Sequence, residues 1–295
     1  MMELLERGYF EVCLVLGRLL RSAKYSKART VHQDGDSSTL REPQGRPEQG
    51  RGTTSSGSSR AWSRNELQVR KDRLFYAPLV VSMGNPLMRI LDAGVRVLPQ
   101  RDWQERERHV YRSLRGSSIR IDADRTLVLP CLGGETLASL LEDPGLAESV
   151  RKKAIELAVV ALAEFHHLGF THGDAMAENV LVDLEAGVAH WFDFETVHDM
   201  KRPMAWRRAD DVRALLATCL VRTVPEKFGE TLRLILDVYD DEAVTRFVAA
   251  SFASVMRRPL TFHLAQAGLS FQAFGEIARL LRERLANTDR VSMTD

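Results

Sequence analysis

The chain has 295 residues, 44% hydrophobic and 27% charged, enough apolar material for a sizeable core and too much for a largely disordered or collagen-like chain. Its formal net charge of +1 supplies no global field that would draw it onto nucleic acid or lipid. Cys13, Cys131 and Cys219 lie far apart with no CxxC or CxxH spacing, which argues against a zinc site or a disulfide framework and suits a reducing cytosol.

Residues 1–25 read as an amphipathic helix, with Leu5, Tyr9, Val12, Leu16 and Leu19 alternating at steps of four and three. One reading packs it on the domain or on a partner. The other lays it on a membrane surface, with Arg18, Arg21, Lys24 and Lys27 near phospholipid heads. Its apolar run is too short to span a bilayer, which needs roughly 20 such residues. The expected location is therefore cytoplasmic, with the inner face of the membrane as the address of the second reading.

Residues 26–62 read as a disordered linker, because between His32 and Arg60 the only large apolar side chain is Leu40. Gly50, Gly52 and Gly57 do not make a phosphate-cradling loop, since no strand pattern precedes them and no helix pattern follows. Residues 63–133 mix strands with a helix. Leu74–Met83 and Thr126–Leu132 read as strands. Arg101–Leu114 reads as a helix, with Trp103, Val110, Tyr111 and Leu114 at helical spacing and Gly116 just past the end. Gly133-Gly134 then breaks the chain.

Residues 134–290 are mainly helical. The clearest helix is Glu148–Leu168, where Ile155, Val159, Leu162 and Phe165 form one stripe and Gly169 supplies the stop. Strand-like pieces follow at Asn179–Val182 and Val188–Phe192. Further helices are expected around Asp210–Leu220, Thr231–Tyr239, Glu242–Met256 and Phe271–Leu285. The fold class is α+β, a small β-rich part followed by a mainly helical one.

The chemistry concentrates between His172 and Glu195, in HGDAMAENVLVDLEAGVAHWFDFE. It holds a His-x-Asp-x-x-x-x-Asn pattern (His172, Asp174, Asn179) and, 14 residues after the asparagine, Asp193-Phe194-Glu195. Short polar side chains in a loop are free to face a cleft. A carboxylate beside an apolar strand, as Asp193 is, needs a charged partner. Hard cations such as Mg²⁺ take oxygen ligands from one or two carboxylates plus substrate phosphates, a role that Asp193 and the Asn179 amide oxygen can fill. Asp174 is then left to accept a proton from an attacking hydroxyl, the division of labour of phosphoryl transfer.

This segment resembles the catalytic and metal-binding loops of the protein-kinase-like superfamily. Its His-Gly-Asp and Asp-Phe-Glu are most similar to those of bacterial lipopolysaccharide kinases and aminoglycoside phosphotransferases. The resemblance extends more weakly over about residues 64–260. It implies a two-lobed fold with an N-lobe at 63–133 and a C-lobe at 134–290. It implies an ATP- and Mg²⁺-dependent phosphotransferase acting on a hydroxyl of a sugar or lipopolysaccharide-type small molecule, or of a protein Ser or Thr, and no nucleic-acid partner. Asp174 becomes the catalytic base, and Asn179 and Asp193 the metal ligands. Glu107 becomes the glutamate that positions a phosphate-holding lysine, with Glu105 as the alternative. Val128–Leu141 becomes the strand, hinge and helix around adenine, and Asp210 or Asp211 the brace of the catalytic loop.

The lysine is the open position. Lys71 is the only lysine between Lys27 and Lys152, and it lies 36 residues before Glu107. If the preceding strand is instead Leu79–Met83, Ser82 or Met83 stands there, and Arg89 is the substitute cation, though a planar guanidinium is not equivalent to an ammonium. No glycine-rich loop is present. Met176 stands two residues after Asp174, where protein kinases carry lysine, which weakens a protein-substrate reading. Glu195 replaces the glycine after Asp-Phe, a poor residue for positive φ, so this loop should flip less readily. These departures support the alternative function, a pseudokinase that binds nucleotide or scaffolds without transfer. His172 reads as a structural residue, and His166, His167, His190 and His198 lack metal spacing. Arg101, Arg106, Arg108, Arg112, Arg115 and Arg120 form either a solvated helix face or a dock for an anionic substrate.

Overall fold

The computed structural model describes residues 5–12, 15, 26–32, 67–90, 92–116, 119–122, 126–253 and 269–292. It is a mixed α+β fold with small antiparallel sheets. The first sheet contains β1 (Ser26–His32), β2 (Leu67–Arg73), β5 (Thr126–Pro130) and β4 (Arg120–Ile121) in that spatial order. Between β2 and β4 come α1 (Ala77–Ile90), β3 (Val95–Val97) and α2 (Gln100–Arg115). After β5 the chain forms β6 (Glu135–Thr136), α3 (Leu137–Glu142) and α4 (Glu148–His167). The strands β7 (Val180–Asp183) and β8 (Val188–Trp191) make a hairpin that β6 joins, and β9 (Thr196–His198) returns to pair with β3. The helices α5 (Met204–Leu220), α6 (Phe228–Tyr239), α7 (Glu242–Ser251) and α8 (Phe271–Ser292) follow.

Most of the expected elements are present. The stripe Ile155, Val159, Leu162 and Phe165 on α4 is buried, and Gly169 follows the helix at φ 85°. α2 ends at Gly116, whose φ of 61° lets its N–H return to the carbonyl of Arg112. Gly134, at φ 98°, turns the chain so close to β7 that a Cβ would overlap the carbonyl of Val182. α5 is buried almost all round, from Ala209 to Leu220, which makes it the central post of the helical part.

Two expectations change. Leu74–Met83 is not a strand: from Ala77 it is the first half of α1. Its apolar run is continuous, and such a run does not by itself distinguish strand from helix. The helical spacing of Val81 and Met88 decides, because it puts both against Ala93, Val95 and Val97. The strand that carries Lys71 is β2, whose charged sequence LQVRKDR hides it from a hydrophobic pattern. Ser26–His32, expected to be part of a linker, instead form β1 and pair antiparallel with β2 from Ser26↔Arg73 to His32↔Leu67. Residues 33–62 lie outside the described residues.

Of the first predicted helix, residues 5–12 are helical. Phe10 is buried against Phe271 and Phe274 of α8, while Leu5 and Val12 of the predicted stripe are exposed. The rest of that helix, apart from Val15, lies outside the described residues, as does Cys13. Among the described residues no helix is long and apolar enough to cross a membrane.

Candidate active site

The site begins on β2. Alternation along the strand puts Lys71 and Arg73 on one face, and both are buried. Facing them is α2, whose Glu107 is fully buried one turn after Trp103. The Lys71 ammonium donates to Glu107 Oε1 at 3.0 Å and to Asp193 Oδ1 at 2.6 Å, and lies 3.1 Å from Glu195 Oε1. Glu107 Oε1 also accepts from the Trp103 indole at 3.1 Å and from the backbone N–H of Phe194 at 3.3 Å. Burial disfavours the charge of Lys71, but Asp193, Glu107 and Glu195 outweigh it and hold its pKa well above the usual lysine value. The cation facing Glu107 is therefore Lys71. Arg89, Ser82 and Met83 lie on α1, where all three are exposed, and Glu105 is exposed and paired with Arg101.

Glu195 is fastened on both oxygens. Oε1 meets Lys71, and Oε2 meets Arg73 Nη2 at 3.4 Å. Arg73 in turn donates to the carbonyl of Leu98 at 2.6 Å, and the Leu98 N–H donates to the carbonyl of Glu195 at 2.8 Å. The strained backbone lies at Asp193, φ 68°, rather than at Glu195. An ionic tether, not a glycine-to-glutamate conformational penalty, holds this loop. From the sequence, Arg73 was not picked out and Trp103 was read only as part of the apolar stripe of its helix. Their signals were present: an i, i+2 pair with Lys71 on a strand, and an i, i−4 neighbour of Glu107 on a helix.

The second loop runs from His172 to Asn179. Asp211 on α5 accepts from the backbone N–H groups of His172 (2.7 Å) and Gly173 (2.8 Å), so of the two candidates it is the brace. Asp210 instead binds His198 and Arg213. His166, His172 and His198 around the Asp211 carboxylate overcome the burial that would raise its pKa, and hold it at about 2. Farther along α5, Thr218 Oγ1 accepts the N–H of Ala177 at 3.0 Å, and Arg222 just past its end pairs with Glu178 at 2.9 Å. Asn179 Nδ2 donates to the Asp174 carbonyl (2.8 Å) and to Asp174 Oδ2 (3.0 Å).

His172 joins the two loops. Its Nε2 donates to the Phe192 carbonyl at 2.9 Å, and its Nδ1 receives the Asp174 N–H at 3.3 Å. Burial pushes its pKa down to about 4, so the ring is neutral and serves as a spacer rather than a base. The Phe192 N–H also bonds the Asn179 carbonyl at 3.1 Å, which sets Asp193 one residue from Asn179. Side-chain contacts thus join Glu107, Lys71 and Asp193 on one side and Asn179 and Asp174 on the other, and the two groups meet through the backbone, where the residue before Asp193 is bonded to Asn179.

The remaining sequence candidates divide. His166 and His198 are buried partners of Asp211 and Asp210, while His167 is exposed. The arginine cluster is not one surface. Arg106 is largely buried and donates to the Thr171 carbonyl at 2.5 Å, Arg115 lies over the Tyr111 ring, and Arg120 pairs with Asp122. Among the described residues no three of His, Cys, Asp and Glu gather as a metal-ligand set, and Cys131 and Cys219 are free thiols. No protein-family model and no curated protein matches this chain.

Proposed function

We propose that the chain is an ATP- and Mg²⁺-dependent phosphotransferase of the protein-kinase-like superfamily, similar to the lipopolysaccharide kinases. In this reading 63–133 and 134–290 are its two lobes, and Val128–Leu141 receives adenine between them. The observation that carries the reading is that the buried Lys71–Glu107 pair reaches Asp193, and that Phe192, the residue before it, is bonded through its N–H to Asn179 in the loop of Asp174. Lys71 and Asp174 lie 103 residues apart in sequence, and coincidence does not readily bring together a lysine, a glutamate and this oxygen-rich loop.

The donor set suits the nucleotide and its metal. The Asp193 side chain is 35% exposed, so its carboxylate is reachable by a cation. Asn179 spends its amide nitrogen on Asp174, which leaves the amide oxygen for a hard ion. Glu107, Asp193 and Glu195 bring three negative charges against the two positive charges of Lys71 and Arg73, and Glu107 Oε2 is buried with no hydrogen-bond partner. Asn179 and Asp193 would hold Mg²⁺, which when bound offsets the charge of the nucleotide phosphates. Glu107 and Glu195 keep Lys71 protonated and aimed, so that its ammonium can grip phosphate oxygens. Asn179 orients Asp174. Asp174 takes the proton of the acceptor hydroxyl as the new oxygen–phosphorus bond forms and the bond to the ADP leaving group breaks. The acceptor is a hydroxyl of a sugar or lipopolysaccharide-type small molecule, or else a protein Ser or Thr.

The test combines thermal stabilisation by Mg·ATP with phosphate transfer over a panel of sugars and proteins. The wild-type chain should show both. Asp174→Ala should keep the thermal shift and lose transfer by about 10²–10⁴-fold, whereas Asp193→Ala should lose the shift as well. Wild-type turnover in Asp174→Ala would remove the base assignment. The second reading, a nucleotide-binding module without transfer, is favoured by the 2.6 Å pair that engages Asp193 with Lys71. It predicts a shift with no transfer in the wild type, and the absence of any shift sinks both readings.

A further inference from the structure

α1 is apolar on two opposite faces, and among the described residues only one is covered. At 100° per residue, Ala77, Val81 and Met88 fall on one side and are buried. Leu79, Met83, Pro86 and Ile90 recur at i, i+4, i+7 and i+11 on the other side. All four are exposed, Leu79, Met83 and Ile90 at 62, 68 and 68%. Phe75, in the turn that leads into the helix, is 85% exposed and meets the edge of the Tyr76 ring. A helix apolar all round normally has both faces out of water.

We propose that this ridge of α1 docks on the surface of an anionic phospholipid bilayer. The charges around it have the required sign. No acidic residue occurs from Leu74 to Leu91, Arg89 is exposed on the last turn of the helix, and Arg96 is exposed on the neighbouring β3. The nearest acid in sequence, Asp92, is paired with Arg202. The shape is a convex ridge about 20 Å long and roughly 10 Å wide. That amounts to about 200 Å² per copy, well short of the roughly 800 Å² each partner contributes to a stable dimer. A bilayer needs no matching groove, and an in-plane helix sinks only about 5–10 Å into it. The ridge is also rigidly mounted. The Asn85 amide exchanges two 2.9 Å hydrogen bonds with the backbone of Val97, and β3 pairs with β9 directly after Glu195. Docking would therefore hold the Asp193 loop near the lipid surface. The proposal stands apart from the kinase reading, since no catalytic residue enters it.

The test is co-sedimentation of the full chain with vesicles of phosphatidylcholine alone or with phosphatidylglycerol added. The wild type should partition onto the anionic vesicles, and Leu79→Asp/Met83→Asp should lower the partition coefficient at least tenfold with an unchanged melting temperature. Leu5→Asp/Val12→Asp, on the exposed side of the first helix, should leave binding within about twofold of wild type. Wild-type chain that stays in the supernatant overturns the proposal, as does undiminished binding by the α1 variant. So does a dimer in vesicle-free buffer that the α1 variant abolishes, because that assigns the ridge to a second copy.

Discussion

At the scale of single residues, His172 shows how one side chain imposes a pH dependence. Its folded pKa of about 4 lies below the ordinary histidine value of 6.5, because burial opposes the charged ring. The unfolded chain therefore binds a proton that the folded chain refuses. The corresponding stability is complete above pH 6.5 and is lost as pH falls towards 4. A shift of this size is worth roughly 3 kcal/mol. His166, also depressed by burial, acts in the same direction. Asp211 works in a separate, more acidic window, because its folded pKa is depressed from the usual carboxylate value to about 2. Urea unfolding at pH 7.5 and 4.5 should show a large loss of stability in the wild type and a smaller one in His172→Asn. Equal losses in the two proteins would mean that other groups set the slope.

At the scale of elements, α5 holds the 172–179 loop at successive points along its length. Asp211 takes two backbone N–H groups, Thr218 takes the N–H of Ala177, and Arg222 clamps Glu178. A loop with few apolar side chains keeps its shape only when its backbone donors are satisfied. Thr218→Val preserves shape but strands the buried N–H of Ala177, so it should cost about 1–3 kcal/mol in chemical unfolding. Thr218→Ser should recover most of the loss. If the valine variant unfolds like wild type, the contact is not part of the brace.

At the scale of the whole molecule, the Lys71 network ties together three distant stretches: β2, α2 and the loop after β8. Lys71→Met leaves three carboxylates around one apolar side chain, and breaking a buried charge cluster in this way should cost about 3–5 kcal/mol. Adding Glu195→Gln should restore part of that, because it removes one uncompensated charge, although it also weakens the hold on Arg73. A loss below about 1 kcal/mol, read by urea denaturation, would show that water or rearrangement already screens the cluster.

The amino-acid sequence by itself determined the α4 stripe, the glycine stop of α2, the two strand-like pieces that become β7 and β8, and the cluster of polar residues from His172 to Glu195. Each of these depends on neighbours within a few turns or strands, where hydrophobic period and turn chemistry suffice. It did not determine that Leu74–Met83 is largely helical, that Ser26–His32 pairs with β2, or which cation faces Glu107. Those were decided by the tertiary structure. A uniformly apolar run takes its conformation from whatever covers it, and a charged strand such as LQVRKDR has no hydrophobic alternation to reveal it. The partner of a buried lysine is settled only when segments 36 and 122 residues away close around it.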